Sequence, residues 1–310
     1  MKMRPFFLFL MPALLVLACE PTPMESRHSG AVDVGVDDSY GVMLQSQADT
    51  YMHFNPKGTI RLQTAPEGEI MKALLNDSIE AAVICRDLTT EERDIFLSRQ
   101  RKPMTYKIAT DGIALAFHPE NTVSELTFAE VEGLFRGTIT KWSQLDSTAE
   151  DSPVEIVFDN PGSSNARYVK DHFLAGGEFP SNFFAVHSND EVINHLSTHK
   201  NAIGILSVGL IADVDDPEAQ GFREKVKVAA IEDTSATAQP GTFRQPFQAY
   251  LFDGSYPLRR DLYYIRTGLS NSLGTGFASF ILGQKGQLII HKTGMVAATS
   301  PTRIVRIVEE

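Results

Sequence analysis

Apolar residues in this chain fall into short continuous runs, separated by stretches in which apolar positions recur at helical spacing. Runs of the first kind suit buried strands, and the second kind suit helices that bury one face. AVDVGV (31–36) is predicted as a first strand entering the polar turn DDSYG. A helix is expected from Val42 to Phe54, stopped by NPKG. TIRLQTA is a second strand, and EGEIMKALLNDS a helix with Ile70, Met71, Leu74 and Leu75 on one side. IEAAVICRDL is a third strand. The helix TTEERDIFLSRQ follows, capped by Thr89 or Thr90, with Glu91 and Glu92 favourably placed in its first turn. YKIATDGIALAFHP is an extended apolar run broken by Asp111-Gly112.

A second unit follows. LTFAEVEGLFRG is a helix opened by a capping box, Thr127 with Glu130. PVEIVFD is a strand, SSNARYVKDHFLAGG a helix ended by glycines, and NAIGILSVG and KVKVAAI are further strands. The chain returns through YPLRRDLYYI and closes on one long helix, GTGFASFILGQKGQLIIHKTG, with Gly294 as its cap. Alternating strands and helices imply an α/β architecture, in which ligands bind where strand-to-helix turns cluster. DDSY and DNPGSSN are two such turns.

The first residues carry a different pattern. MKMR is a basic lead, and the apolar run from Phe6 to Ala18 is 13 residues long. A bilayer span needs about 20, so residues 1–18 are read as a signal peptide. LVLAC resembles a lipobox, with Cys19 as the lipidated residue, and the breaker-rich residues 19–30 form a tether. An incidental cysteine after an ordinary signal peptide is the alternative. Cys85 then remains as a single thiol, so no intramolecular disulfide is expected. Its apolar surroundings mark it as a small buried hydrophobe.

With 310 residues the chain can form two lobes, and its 43% hydrophobic and 22% charged content is that of a soluble globular protein. The net charge of −11, with no basic block, argues against a nucleic-acid partner. Small anions are still admitted, because a buried site depends on local dipoles.

The chemistry concentrates in DNPGSSNARY. Ser163 or Ser164 stands at an N-cap position, Gly162 lets a ligand approach the backbone, and unpaired first-turn N–H groups point outward. The turn reads as a capped helix or as an anion cradle. A nucleophilic serine is the third reading, although Gly-Ser-Ser-Asn is not the G-x-S-x-G elbow. Arg86 could fork onto an oxyanion or pair with Asp87 or Glu91. Arg167 in the first turn opposes the helix dipole, which points to a ligand or acidic partner. His195 and His199 share a helix face without the Glu of H-E-x-x-H, and no phosphate loop of the G-x-x-x-x-G-K-[ST] type occurs. No metal or cofactor is expected.

LTFAEVEGLFRGTITKWSQL, DNPGSSNARY, NAIGILSVG, GSYPLRRDLYYI and GFASFILGQKGQLIIHKTGMV resemble, in order, the substrate-binding protein of bacterial phosphate ABC transporters. The resemblance implies a two-lobed periplasmic-binding protein type II fold. Its sheets would be mixed and mostly parallel with flanking helices, and ligand would lie in the interlobe cleft. Lobe 1 would comprise 31–112 and 256–310, and lobe 2 would comprise 113–255. The implied ligand contacts are Ser39 and Tyr40 in the first turn, Arg86, Asp111 at the crossover, and Asp159, Gly162, Ser163, Ser164, Asn165 and Arg167 around the serine turn. Phe158 stands where the family carries an arginine and Asn160 where it carries an aspartate. Asp159 would therefore accept a ligand proton, and Arg86 or Arg167 would supply positive charge.

The expected function is capture of phosphate or a related oxyanion by lobe closure and delivery to a membrane permease, without catalysis. The protein would be a monomer, lipid-anchored to the periplasmic face of a bacterial membrane or to the cell surface. The alternatives are a lipid-anchored hydrolase using Ser163 or Ser164, or a sensor or adhesion protein that keeps the fold.

Overall fold

The computed structural model describes residues 25–212 and 217–299. The expected signal peptide and the first half of the tether, Cys19 included, lie outside the described residues, as does the segment after residue 299.

The first half alternates as the apolar pattern predicts: β1 (Ser29–Asp37), α1 (Gly41–Phe54), β2 (Lys57–Ala65), α2 (Glu67–Leu75), β3 (Ala81–Ile84), α3 (Thr90–Ser98) and β4 (Met104–Phe117). Thr89 caps α3 in a capping box with Glu92. The second half runs β5 (Glu125–Leu126), α4 (Phe128–Phe135), β6 (Glu155–Phe158), α5 (Ser164–Phe173), β7 (Phe183–Ala185), α6 (Asn189–Leu196) and β8 (Ala202–Ser207). Thr127 and Glu130 form the expected box on α4. Then come α7 (Val208–Ile211), α8 (Pro217–Lys225), β9 (Lys227–Val228), β10 (Ala230–Glu232), β11 (Phe243–Arg244) and α9 (Gln248–Asp253). The chain returns in β12 (Arg259–Arg266), α10 (Leu273–Ile281), α11 (Gln284–Lys292) and β13 (Val296–Ala297).

The main sheet has the order β2-β1-β3-β12-β4-β8-β6-β7, with β13 and β9 also paired to β4. It is mixed. Parallel pairing joins β1 to β2 and β3 at one end and β6 to β7 and β8 at the other. The centre is antiparallel, because the returning β12 inserts between β3 and β4. β4 joins the two halves: residues 104–112 pair with β12 and residues 113–117 with β8.

Each half has its own core. One apolar cluster runs from Ile113 through β6, α5, β8 and α6. Two others cover opposite faces of the first half, around Val34, Tyr264 and Phe277 and around Ile70, Leu74 and Phe96. β3 and β8 are buried throughout, as suits strands covered on both faces.

Three expectations change. Asp111-Gly112 does not break the run, and β4 passes straight through it. A Cβ on Gly112 would meet Leu251 Cδ2 at 2.8 Å, so glycine is there for close packing rather than for a turn. The predicted final helix is two helices, divided at Leu282–Gly283. Gly286 packs so tightly on the Phe280 carbonyl that an added Cβ would lie 2.4 Å from it, an approach the kink permits. KVKVAAI forms two short strands that join different sheets. Gly294 follows α11 with φ of +76°, as a helix-ending glycine should.

Candidate interlobe oxyanion site

The two crossings between halves, β4 at Gly112–Ile113 and the chain entering β12, lie side by side. Ile113 N–H donates to Leu258 O at 2.7 Å, and Tyr256 Oη donates to Ile113 O at 2.6 Å. In this register Arg260 sits opposite Asp111 on the neighbouring strand. Paired residues of adjacent strands project on the same side, so the two charges meet. Asp111 lies 3.3 Å from both Nε and Nη2 of Arg260, and both residues are buried.

Asp111 collects donors from both halves. Tyr40 Oη donates to Oδ2 at 2.6 Å and Ser207 Oγ at 2.8 Å, while Gly209 N–H reaches Oδ1 at 3.1 Å. Cys85 Sγ donates to Tyr40 Oη at 2.9 Å. The thiol is thus buried, as expected, but tied into a polar relay. Burial pushes its pKa far up, so it is held as a neutral thiol.

From lobe 1, Asp37 ends β1 and accepts Ser39 N–H on Oδ1 at 3.0 Å. Its Oδ2 and the Ser39 hydroxyl are buried without a partner. From lobe 2, Ser163 caps α5 by accepting Ala166 N–H at 3.2 Å. Ser164 Oγ accepts Arg260 Nη1 at 3.1 Å across the interlobe boundary. Asn165 Nδ2 reaches Asp159 Oδ1 at 3.4 Å, while Asn165 Oδ1 and Asp159 Oδ2 are unpartnered, and Arg260 Nη2 makes no hydrogen bond beyond its ion-pair contact with Asp111. An orphaned buried polar group costs about 1–3 kcal/mol, so four in one neighbourhood mark a place built for a ligand. The start of α5 adds the positive partial charge of a helix N-terminus, with Ala166 N–H taken by the Ser163 cap.

Electrostatics follow burial. Desolvation pushes the Asp37 carboxyl up to about 7, helped by nearby Glu67 and Asp159 and opposed by Arg260. Asp38 rises to about 6, first through burial and then through Asp159 and Glu69. Burial also raises Asp159, against hydrogen bonds from Ser163 and Asn165.

The arginines expected to hold an anion are engaged elsewhere. Arg86 forks onto Glu92 with both contacts at 2.7 Å, and its Nε lies 3.8 Å from Glu67. Arg167 pairs with buried Glu67 and with Asp171 at 2.9 Å, and it donates to Cys85 O at 3.0 Å. Gly162 is exposed, and its carbonyl accepts Gly68 N–H at 3.0 Å. These contacts clamp α5 to the start of α2 rather than surround the unpartnered cluster. Phe158 packs on Phe179 and Phe183, with ring centroids at 5.0 and 6.3 Å. His195 and His199 stack at 3.8 Å on and just beyond α6, and take no part in the cluster.

The sequence reading missed Asp37, Glu67 and Arg260. Arg260 left a trace: Leu258 just before β12, then Arg260, Leu262 and Tyr264 on it, alternate as buried positions. A charge on that face must find a partner.

A family model described as the PBP superfamily domain matches residues 21–285. The chain is 23% identical over 303 residues to the phosphate-binding protein PstS of Pseudomonas aeruginosa, covering 92% of this chain and 89% of that one. It is 28% identical to Streptococcus pneumoniae phosphate-binding protein PstS 2 over 128 residues, 41% of each. Among solved structures, a Clostridium perfringens protein with bound phosphate superposes with a TM-score of 0.70 at 21% identity, covering 87% of this chain and all of that one. An ABC-type phosphate transport receptor from Vibrio cholerae gives 0.65 at 19%, covering 86% and 100%.

Proposed function

The chain belongs to the PBP superfamily, and from that premise we propose that it captures inorganic phosphate outside the cytoplasm and delivers it to an ABC transporter permease. The observation that carries this reading is the set of buried polar atoms without a hydrogen-bond partner contributed by both lobes: Asp37, Ser39, Asp159, Asn165 and Arg260. Their mixture of one cation, hydroxyl and helix N–H donors, and carboxylate and amide acceptors suits an oxyanion that carries both bare and protonated oxygens. Relatives named for phosphate binding support the same ligand.

Residues 31–112 with 256–310, and 113–255, are the two moving bodies in this reading. The paired crossings at Gly112–Ile113 and Leu258 act as the hinge, and ligand contacts to both lobes favour closure. The binding set is Ser39, Asp159, Ser164 and Asn165, with Asp37 and Arg260 added, while Ser163 acts by capping the helix that presents them, and Tyr40 and Asp111 hold Arg260. Arg86, Gly162 and Arg167 act through the clamp.

The chain works as a binding protein rather than an enzyme. The Ser163 hydroxyl caps its helix, Ser164 accepts from Arg260, and no histidine bonds either among the described residues. No described helix is long and apolar enough to cross a membrane, and attachment as a monomer through a lipid on Cys19 is part of the proposal. Release of a Cys19→Ala protein from the membrane fraction checks the anchor.

Calorimetric titration of the ligand-free protein with phosphate, sulfate and molybdate tests the ligand. Phosphate heat with weak or absent sulfate heat is expected. Silence with every oxyanion would overturn the reading.

A further inference from the structure

β12 carries two buried arginines. Arg260 lies near its start and Arg266 ends it, about 20 Å further along at the usual strand rise. Arg266 pairs in register with Ala81 at the start of β3 and with Met104 at the start of β4. It therefore stands at the base of lobe 1, away from the cleft. The two differ in their partners. Arg260 has Asp111, whereas Arg266, only 6% exposed, has no carboxylate within ion-pairing distance among the described residues. Its Nη1 donates to Gly268 O at 2.9 Å and Leu269 O at 3.3 Å, and its Nε is buried without a partner. A guanidinium stays charged across the physiological range, and burying one unpaired is costly.

Arg266 opens onto a cavity of about 710 Å³. A bare inorganic oxyanion needs far less, and the volume falls in the range of small organic ligands. The other charged walls are Glu25, Asp77, Glu80, Arg101 and Lys102. Asp77 is already shared by Arg101 at 2.6 Å and Arg99 at 3.6 Å. Glu80 lies against Gly268. Burial, then Glu25 and Asp33, raise its carboxyl, and the cations that chiefly oppose the rise are Arg101 and Arg61. With Arg99 counted, four cations face three acids, which leaves one positive charge over. Leu269, 74% exposed, adds an apolar side chain to the wall.

We propose that this cavity is a second anion site, which takes the phosphate of a phosphodiester on the open edge of Arg266. A diester carries one negative charge near neutrality, which matches the surplus cation, and it brings the organic body that the volume calls for. Position favours the same class. Glu25 lines the cavity, and six residues, at most about 22 Å of chain, lead from it back to Cys19. With a lipid on Cys19, phospholipid headgroups are the phosphodiesters most concentrated within that reach. The lipid source rests on the proposed anchor, whereas the site itself is independent of phosphate capture in the cleft. A headgroup held here would fix lobe 1 against the bilayer and leave lobe 2 free to close.

Calorimetry of the full chain with two soluble probes tests the site. One is dihexanoyl phosphatidylglycerol below its micelle concentration; the other is glycerophosphoglycerol, the same diester without acyl chains. One diester per chain is expected, unaffected by added inorganic phosphate. Arg266→Met should weaken it by about tenfold or more and leave phosphate binding unchanged. If that variant does not fold, Lys102→Glu, on the exposed rim, should still weaken the diester severalfold. Tighter binding of the short-chain lipid would support a membrane source, and equal or tighter binding of glycerophosphoglycerol would overturn that source in favour of a soluble diester. Heat from neither probe, or binding that both substitutions leave intact, would overturn the site. A preference for acetate over both diesters would overturn the ligand class. None of these results bears on phosphate in the cleft, which its own titration decides.

Discussion

Two polar clusters cross between the halves of this molecule, and they differ in how completely they are satisfied. In the clamp, Glu67 meets Arg167, Arg86 and the Cys85 N–H, while Glu92 and Asp171 take the remaining guanidinium edges. In the hinge cluster, Arg260 meets Asp111 and Ser164, yet four neighbouring polar atoms, on Asp37, Ser39, Asp159 and Asn165, have no partner. A saturated network fixes a geometry. An unsaturated one carries a continuing desolvation cost that a ligand can offset. Charge alone does not make a residue a ligand contact, and the arginines whose positions invited that role are the ones already spent.

Removing Arg260 should break the contrast most severely. Arg260→Met leaves Asp111 buried without its cation and deprives an anion of the one guanidinium pointed at it. Losing one member of a buried ion pair costs about 3–5 kcal/mol. Phosphate affinity should fall by about a thousandfold or more in calorimetry, with a lower thermal midpoint. Equal loss on Arg86→Met would show that the two clusters are not distinct.

That prediction could not have been written from the sequence, and the reason is geometric. Strands, caps and the serine turn were legible because their causes are local: apolar runs, Thr127 with Glu130, and Ser163 before α5. Arg260 joins Asp111 only through the strand register, across 149 residues. Glu67 reads as an ordinary first-turn acid until α5 covers it. The kink at Gly283 was hidden because the apolar spacing continues across it, while the break depends on tertiary contact at Gly286.

The second effect is on stability. Asp37 is raised to about 7 by burial, so between about pH 4 and 7 the folded chain keeps a proton that the unfolded chain has released. Stability therefore falls as pH rises through that window and stays low above it. Asp37→Asn should remove the loss, stabilising the ligand-free protein by on the order of 4 kcal/mol at pH 8 and by little near pH 4. Urea midpoints at both pH values check it; a mutant less stable at pH 8 would place Asp37 in the saturated class.

The clamp should respond more mildly. Glu67→Gln keeps a hydrogen-bond acceptor, and Arg167 retains Asp171 and the Cys85 carbonyl. Because this pair acts on closure rather than on the anion, phosphate affinity should drop about tenfold, chiefly through faster release. Stopped-flow dissociation measures the rate, and small-angle scattering of the free protein should show a more open shape. Unchanged release would mean the clamp does not govern closure.

The two adjacent serines give the smallest and sharpest comparison. Ser163 satisfies Ala166 N–H and belongs to the helix; Ser164 accepts from Arg260 and belongs to the hinge cluster. Losing an N-cap costs about 1 kcal/mol, so Ser163→Ala should lower the thermal midpoint by a few degrees and weaken phosphate binding only slightly. Ser164→Ala leaves Arg260 a second nitrogen without a hydrogen bond, so its loss should appear in affinity, about tenfold, with the helix cap intact. A nucleophilic role predicts something else: hydrolysis of an ester or phosphoester that disappears with one serine. Measured side by side, a stability defect at 163 and an affinity defect at 164 would separate cap from contact. Hydrolysis lost at either position would put the enzyme reading ahead of pure binding.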